Sequence, residues 1–231
     1  MSADSPTRSY GQFCGIARAL DLVGERWALL VVRDLILGPK RFTDLQRCLP
    51  GIGTNILSER LRQLEQGGVI RRRILAPPAG STVYELTEHG RGLEEILLAL
   101  GRWGVRSMGP RKPGQALRSG WIGVAMRAYA DPAAAAGLDA TYELILDHTV
   151  LRIEMADGDV RITEGSSGRA DLVVETQDET LIALLAGFLA APDAVASGAV
   201  KLEGDETLLP RLLDIVRFRV PESVVNGGFA S

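Results

Sequence analysis

Apolar residues in the first hundred positions recur at helical spacing, then alternate over two short stretches, then become helical again. From Cys14 to Gly24, Ile16, Ala19, Leu20 and Val23 fall at i, i+3, i+4 and i+7, which predicts an amphipathic helix. Trp27 to Leu37 is almost wholly apolar and predicts a buried helix ended by Gly38-Pro39. Phe42 to Cys48 reads as a short helix with Phe42 and Leu45 inward, stopped by Pro50-Gly51. Thr54 to Gln66 follows, with Thr54 as its cap, Leu57, Leu61 and Leu64 as one stripe, and Gly67-Gly68 as its end. Val69 to Leu75 and Thr82 to Leu86 alternate as two strands around a turn at Pro77-Pro78-Ala79-Gly80. Thr87-Glu88-His89-Gly90 then opens a helix carrying Leu93, Ile96, Leu97, Leu100 and Trp103.

Two prolines and two glycines between Met108 and Gln115 interrupt these patterns and predict a linker. Beyond it, Trp121 to Ala130 is a helix, and the period then changes to two. Tyr142, Leu144 and Leu146 alternate with polar neighbours, as do Leu151, Ile153 and Met155. Asp157-Gly158 is a hairpin turn into Val160 to Thr163, and Asp171 to Thr176 is a further strand. A very apolar helix, Thr180 to Leu189, is broken by Pro192; strand-like Ala199 to Glu203 and a helix from Thr207 to Phe218 close the pattern. The fold class is α+β throughout: an N-terminal domain of helices and a hairpin, and a C-terminal α+β domain whose antiparallel sheet packs against helices. The expected boundaries are a disordered tail at 1–9, a first domain at 10–107, a linker at 108–118, a second domain at 119–220 and a tail at 221–231.

Three helices, a hairpin and a further helix are the order of a winged helix. The short third helix followed at once by the fourth predicts a helix-turn-helix, with Leu49 to Gly53 as the turn. Advancing by about 100° per residue from Leu57 places Asn55, Glu59, Arg62 and Gln63 on the opposite side of the fourth helix, with Ser58 flanking. These side-chain types read base edges: Arg pairs with guanine, Asn and Gln with adenine, Glu with the cytosine amine, and Ser with several. Thr54, at the helix start, is placed to donate to a phosphate. Arg71, Arg72 and Arg73 lie on the first hairpin strand, so one or two point away from the core, and Lys40, Arg41 and Arg47 lie on or near the helix before the turn. Both places suit the phosphate backbone. Duplex DNA is therefore the expected partner, and Trp27, Phe42, Tyr84 and Trp103 are expected in the core rather than as stacking platforms.

Charge sharpens the division. The overall charge of −3 conceals 17 Lys+Arg against 11 Asp+Glu in residues 1–112, and 9 against 18 in residues 113–231. The first half can approach a polyanion, and the second is repelled by it. Two cysteines, Cys14 and Cys48, are too few for a disulfide framework. The longest apolar run, Leu181 to Ala191, is too short to span a bilayer, and Met1 to Gln12 carries no basic-then-apolar signal, so a cytoplasmic protein is expected. No enzyme signature is present: Gly165-Ser-Ser-Gly168 is no nucleophile elbow, and Gly51-Ile-Gly53 lacks the rest of a phosphate loop. Neither His89 nor His148 stands at metal-ligand spacing from Cys, Asp or Glu, so no metal and no cofactor are expected.

Several strings resemble the HxlR-type winged-helix regulators of bacteria: Cys14 to Trp27, Leu35 to Phe42, Asp44-Leu-Gln46, Leu57 to Leu64, Tyr84 to Gly90, and Trp103-Gly104. The resemblance implies a homodimer on a symmetric operator, joined through Cys14 to Val23 and Leu93 to Trp103. Several members of the family use a cysteine at the position of Cys14 as a redox or electrophile sensor, although Gly15 stands where a proline is usual. Ala170 to Val174, Leu185 to Phe188, Pro192, Ala196-Ser-Gly198 and Lys201 to Asp205 resemble the type-two sterol-carrier-protein fold. That implies an apolar cavity for a hydrophobic effector, with Leu181, Leu184, Leu185, Phe188, Leu212 and Ile215 as candidate lining residues; the alternative is a filled core. The expected function is a sequence-specific DNA-binding repressor. The alternatives are a lipid carrier that uses the winged helix to dimerise, and a thiol-sensing regulator with a passive C-terminal domain.

Overall fold

Helices α1 (Gly15–Val23), α2 (Ala28–Leu35), α3 (Phe42–Cys48) and α4 (Thr54–Gln66) precede a hairpin of β1 (Ile70–Ile74) and β2 (Thr82–Leu86) and a one-turn helix, α5 (Glu88–Arg91). They belong to a computed structural model that describes residues 9–76, 80–166 and 168–219. The expected hairpin tip at Pro77-Pro78-Ala79, Ser167 and both outer tails lie outside the described residues. By internal contacts the chain divides into two units, 1–94 and 95–231.

In the first unit the core is built from α2 (Val31, Val32), Leu45 of α3, the Leu57, Leu61 and Leu64 stripe of α4, and Ile70 and Val83 of the hairpin, all buried. The chain enters α2 one residue later than its pattern suggests. Trp27 has φ 78°, so it precedes the helix in a left-handed conformation, with the Arg26 guanidinium 5.3 Å from its ring centre. Gly38, with φ 145°, carries the chain out beyond the helix. The hairpin is in register from Ile70 opposite Leu86 to Ile74 opposite Thr82, and Tyr84 also exchanges backbone hydrogen bonds with Lys40 at 2.8 and 3.0 Å. Lys40, expected to face phosphate, is thereby drawn in to 8% exposure.

The single helix expected from Thr87 onward is two. The Thr87 hydroxyl accepts from the Gly90 N–H at 3.0 Å, capping α5. Gly90 packs so closely that a Cβ would collide with the Val69 carbonyl oxygen. Gly92 and Leu93 then separate α5 from α6 (Glu94–Gly104), which buries none of its residues. Trp103, expected in the core, is 68% exposed, and Trp27, Phe42 and Tyr84 are only partly covered.

The second unit begins with the remainder of α6 and a 3₁₀ turn at Val105–Ser107; residues 108–118 contain no helix or strand. The Arg102 guanidinium donates to the Ala128 carbonyl at 2.8 Å, tying α6 to α7 (Ser119–Tyr129). There follow α8 (Pro132–Ala135), β3 (Ala140–Ile145), β4 (Val150–Ala156), β5 (Asp159–Glu164), β6 (Leu172–Thr176), α9 (Asp178–Leu185), α10 (Ala191–Ala196), β7 (Val200–Gly204) and α11 (Leu208–Ile215). The strands form one sheet in the order β5-β4-β3-β6-β7. Register aligns buried side chains across it: Ile162, Ile153, Tyr142 and Leu172 form one row. Asp157 and Gly158, with φ of 51° and 82°, make the expected hairpin turn.

The α+β class holds, with one difference in the sheet. Strands β3 and β6 are parallel, so the sheet is mixed rather than antiparallel throughout. Hydrophobic alternation sets which face a strand buries and leaves its direction open. The apolar run after Thr180 also differs from expectation. Gly187, with φ 76°, lies beyond the end of α9, and Pro192 stands in the first turn of α10, where its missing N–H is harmless, instead of breaking a longer helix.

Candidate nucleic-acid interface

Helix α4 follows α3 across the turn at Leu49 to Gly53, and its apolar stripe turns inward. Asn55, Ser58 and Arg62 are exposed on the other side, as the helical period requires. Two expected readers differ in detail. Gln63 is half-buried: its carbonyl accepts from Arg60 and its amide donates to Glu59 at 2.6 Å. Thr54 is the first helical residue, not the cap. Gly53 holds the cap position, and the Thr54 hydroxyl accepts from the Gln46 amide at 3.0 Å, joining the two helices of the motif.

Glu59 organises this face. Arg62 reaches it through Nη2 at 2.6 Å and Nε at 2.9 Å, and these bonds hold the Glu59 carboxyl below its usual range. Ile56 was not anticipated. It stands off the inward stripe and is 47% exposed beside Asn55, offering an apolar surface of the kind that meets a thymine methyl. The cue available in the sequence was its position one residue before Leu57, about 100° from the stripe.

All three hairpin arginines are exposed, and each is already paired. Arg71 and Arg73 share Glu85, at 2.8 and 2.9 Å, and Arg72 holds Glu65 at 2.7 Å. Burial pushes the Glu85 carboxyl up, but the two guanidiniums outweigh it and hold it low. Arg72 similarly holds Glu65 below its ordinary value and is itself raised by it. Arg41 is exposed at the start of α3, where its backbone N–H donates to the Asp44 carboxylate at 3.3 Å; Arg47 pairs with Asp44 at 3.5 Å.

The HxlR-like helix-turn-helix family model matches residues 22–112. The chain is 33% identical over 93 residues to YvaP, an uncharacterised HTH-type transcriptional regulator of Bacillus subtilis, spanning 40% of this chain and 86% of that protein. The chain belongs to the HxlR-like helix-turn-helix family. Another relative in the family is the HTH-type transcriptional regulator YodB of Bacillus subtilis, 35% identical over 85 residues, which are 37% of this chain and 76% of YodB. A quinone-bound crystal structure of YodB aligns at 32% identity over 38% of this chain and 93% of that one, with a TM-score of 0.34. Residues 125–216 match the SCP-2 sterol transfer family, in agreement with the second resemblance.

Two further groups of candidates belong to other elements. Cys14 holds the N-cap position of α1 with an exposed free thiol, and the nearby N–H groups of Ala17 and then Ile16 hold that thiol below its ordinary value. On α1 itself Ile16 and Leu20 are exposed, and on α6 so are Ile96, Leu100 and Trp103. In the SCP-2-like half, Leu181, Leu184, Leu185, Leu212 and Ile215 are core residues, while Phe188 is 46% exposed. Among the described residues no helix is long and apolar enough to cross a membrane.

Proposed function

We propose that the chain is a homodimeric, sequence-specific DNA-binding transcriptional repressor. The observation that carries this reading is the α4 surface: Asn55, Ser58 and Arg62 stand exposed on a rigid helix whose opposite stripe is buried. Arg62 reads guanine and Asn55 adenine, with Ile56 against a thymine methyl, while Ser58, Glu59 and Gln63 complete the face. Thr54 and Arg41 flank it, and the arginines of β1 grip the backbone after exchanging Glu65 and Glu85 for phosphate. Exposed apolar residues on α1 and on α6 support dimerisation, since bare patches of this kind mark contact surfaces. Half-sites then lie one helical turn, roughly 34 Å, apart.

The test is selection of duplexes from a random library, followed by fluorescence anisotropy at physiological salt. A two-fold symmetric site should emerge, bound on the order of 10³-fold or more above unrelated DNA. Binding that varies with salt but not with sequence would instead favour the lipid carrier.

The match to the SCP-2 sterol transfer family supports a hydrophobic effector in the second unit. Five of the six candidate lining residues are packed in the core, so an effector there must part side chains that already touch apolar neighbours. Native mass spectrometry of freshly purified protein would reveal a retained molecule. A second reading makes Cys14 the sensor, favoured by its exposed thiol at a helix start. If so, diamide or a quinone should release wild-type protein from DNA and leave Cys14→Ser bound; an identical response of both excludes sensing at that position.

A further inference from the structure

Three elements of the second unit meet around one buried carboxylate. Asp147 and His148 lie in the connection between β3 and β4, Ser119 begins α7 and Asp178 begins α9. The Ser119 hydroxyl donates to Asp178 Oδ1 at 2.7 Å and accepts from the His148 backbone N–H at 3.2 Å. Asp147 Oδ2 accepts from the Asp178 N–H at 2.9 Å. This network brings one ligand atom from each of Asp147, His148 and Asp178 within 4.8 Å of the others. Sequence spacing carries no sign of this grouping, because Asp178 is contributed by a different element, 31 positions after Asp147.

The Asp178 side chain is 2% exposed, and its Oδ2 has no hydrogen-bond partner. His148 Nδ1 lies 3.4 Å from that oxygen, on a side chain that is itself 47% exposed. A buried carboxylate oxygen without a donor costs free energy unless something else compensates it. Burial, and then the nearby Asp147 charge, push the Asp178 carboxyl up, while Ser119 and His148 pull it down. Asp147, His148 and Asp178 line a cleft of about 360 Å³ with Arg111, Arg118 and Glu179. Arg111 and Glu179 pair at 2.6 Å and offset each other, and Arg118 Nε is buried without an acceptor.

We propose that Asp147, His148 and Asp178 bind one divalent transition-metal ion. One imidazole and two carboxylates suit zinc, manganese, iron or cobalt, whereas magnesium and calcium take oxygen alone. An ion among the three donors supplies Asp178 Oδ2 with its missing partner and removes the repulsion between the two carboxylates. Water completes the coordination on the side of the cleft, and Arg118 Nε is the donor available to hold it. Ser119 orients two of the three ligand residues, as partners behind metal ligands commonly do. The ion would lock the hairpin connection to the starts of α7 and α9, and this role does not depend on DNA binding.

The test is a cobalt(II) titration of EDTA-stripped full-length protein, read by visible absorption and thermal melting. Wild type should take one cobalt per chain, show weak bands of nitrogen and oxygen ligation, and melt at higher temperature when loaded. His148→Gln, at a half-exposed position that spares the core, should weaken binding by about 100-fold or more and abolish the melting shift. Asp178→Asn, checked for folding by circular dichroism, should do the same. The proposal is overturned by an absence of stoichiometric uptake at micromolar cobalt, or by uptake indifferent to His148→Gln. It is equally overturned by an intense near-ultraviolet sulfur-to-cobalt band, which would assign the ion to a cysteine.

Discussion

Each arginine of the proposed DNA surface that follows the turn arrives with a carboxylate in hand. Arg62 has Glu59, Arg72 has Glu65, and Arg71 and Arg73 divide Glu85 between them. Phosphate must displace these partners, so the acids set how much of the positive charge is available to DNA of any sequence. Arg72→Ala should weaken operator and unrelated DNA alike and flatten the salt dependence by about one unit of log–log slope. Glu65→Gln should act in the opposite direction, tightening unrelated DNA and raising the slope; anisotropy across a salt series checks both. Cys14 gives a pH prediction. Its thiol is held low by the N–H groups of Ala17 and Ile16, so the thiolate persists to lower pH than in the unfolded chain, where a cysteine titrates near ~8.5. In a Cys48→Ser background, the alkylation rate of folded protein should reach its half-maximum at lower pH than that of protein in urea. Coincident profiles would contradict the role given to the helix start.

At the scale of elements, the core stripe of α4 holds the proposed reading surface in place. Leu57 is fully buried, and Leu57→Ala should cost about 2–5 kcal/mol in denaturant unfolding, with DNA binding lost only as the fold is lost. Gly158 fixes the β4–β5 turn at φ 82°, and a Cβ there would stand 3.1 Å from the Pro132 carbonyl oxygen. Gly158→Ala should therefore destabilise the second unit by about 1–3 kcal/mol in the same assay. Periodicity made most elements legible, because an amphipathic helix or strand writes its buried face into the spacing of Leu57, Leu61 and Leu64 or of Leu151, Ile153 and Met155. What it left unread depends on partners distant in sequence. The parallel β3–β6 pairing, the burial of Lys40 against Tyr84 and the meeting of Asp178 with His148 have no local signature. The acids that hold the hairpin arginines were hidden for the same reason. The exposure of Trp103 reverses an expectation drawn from its neighbours: helical spacing shows that α6 has an apolar face, not what covers it.

At the scale of the molecule, a basic half and an acidic half are joined in one chain of net charge −3. The acidic half adds no attraction for DNA, so in the proposed complex affinity rests on the first unit and on the doubling of its contacts in the proposed dimer. Native mass spectrometry should give twice 24.8 kDa for wild type, and Trp103→Glu, at an exposed position on α6, should shift the population toward monomer. A monomeric wild type would remove the basis for a symmetric operator. In the proposed complex α4 reads bases while the hairpin holds the backbone. The most direct test compares wild type with Arg62→Ala on the selected operator and on a scrambled duplex at one salt concentration. Arg62→Ala should lose about 1–3 kcal/mol on the operator, confined to one base position per half-site, with little sequence dependence in what binding remains to the scrambled duplex. An equal loss on both duplexes would reduce Arg62 to a phosphate contact and contradict the assignment of α4 as the reading helix.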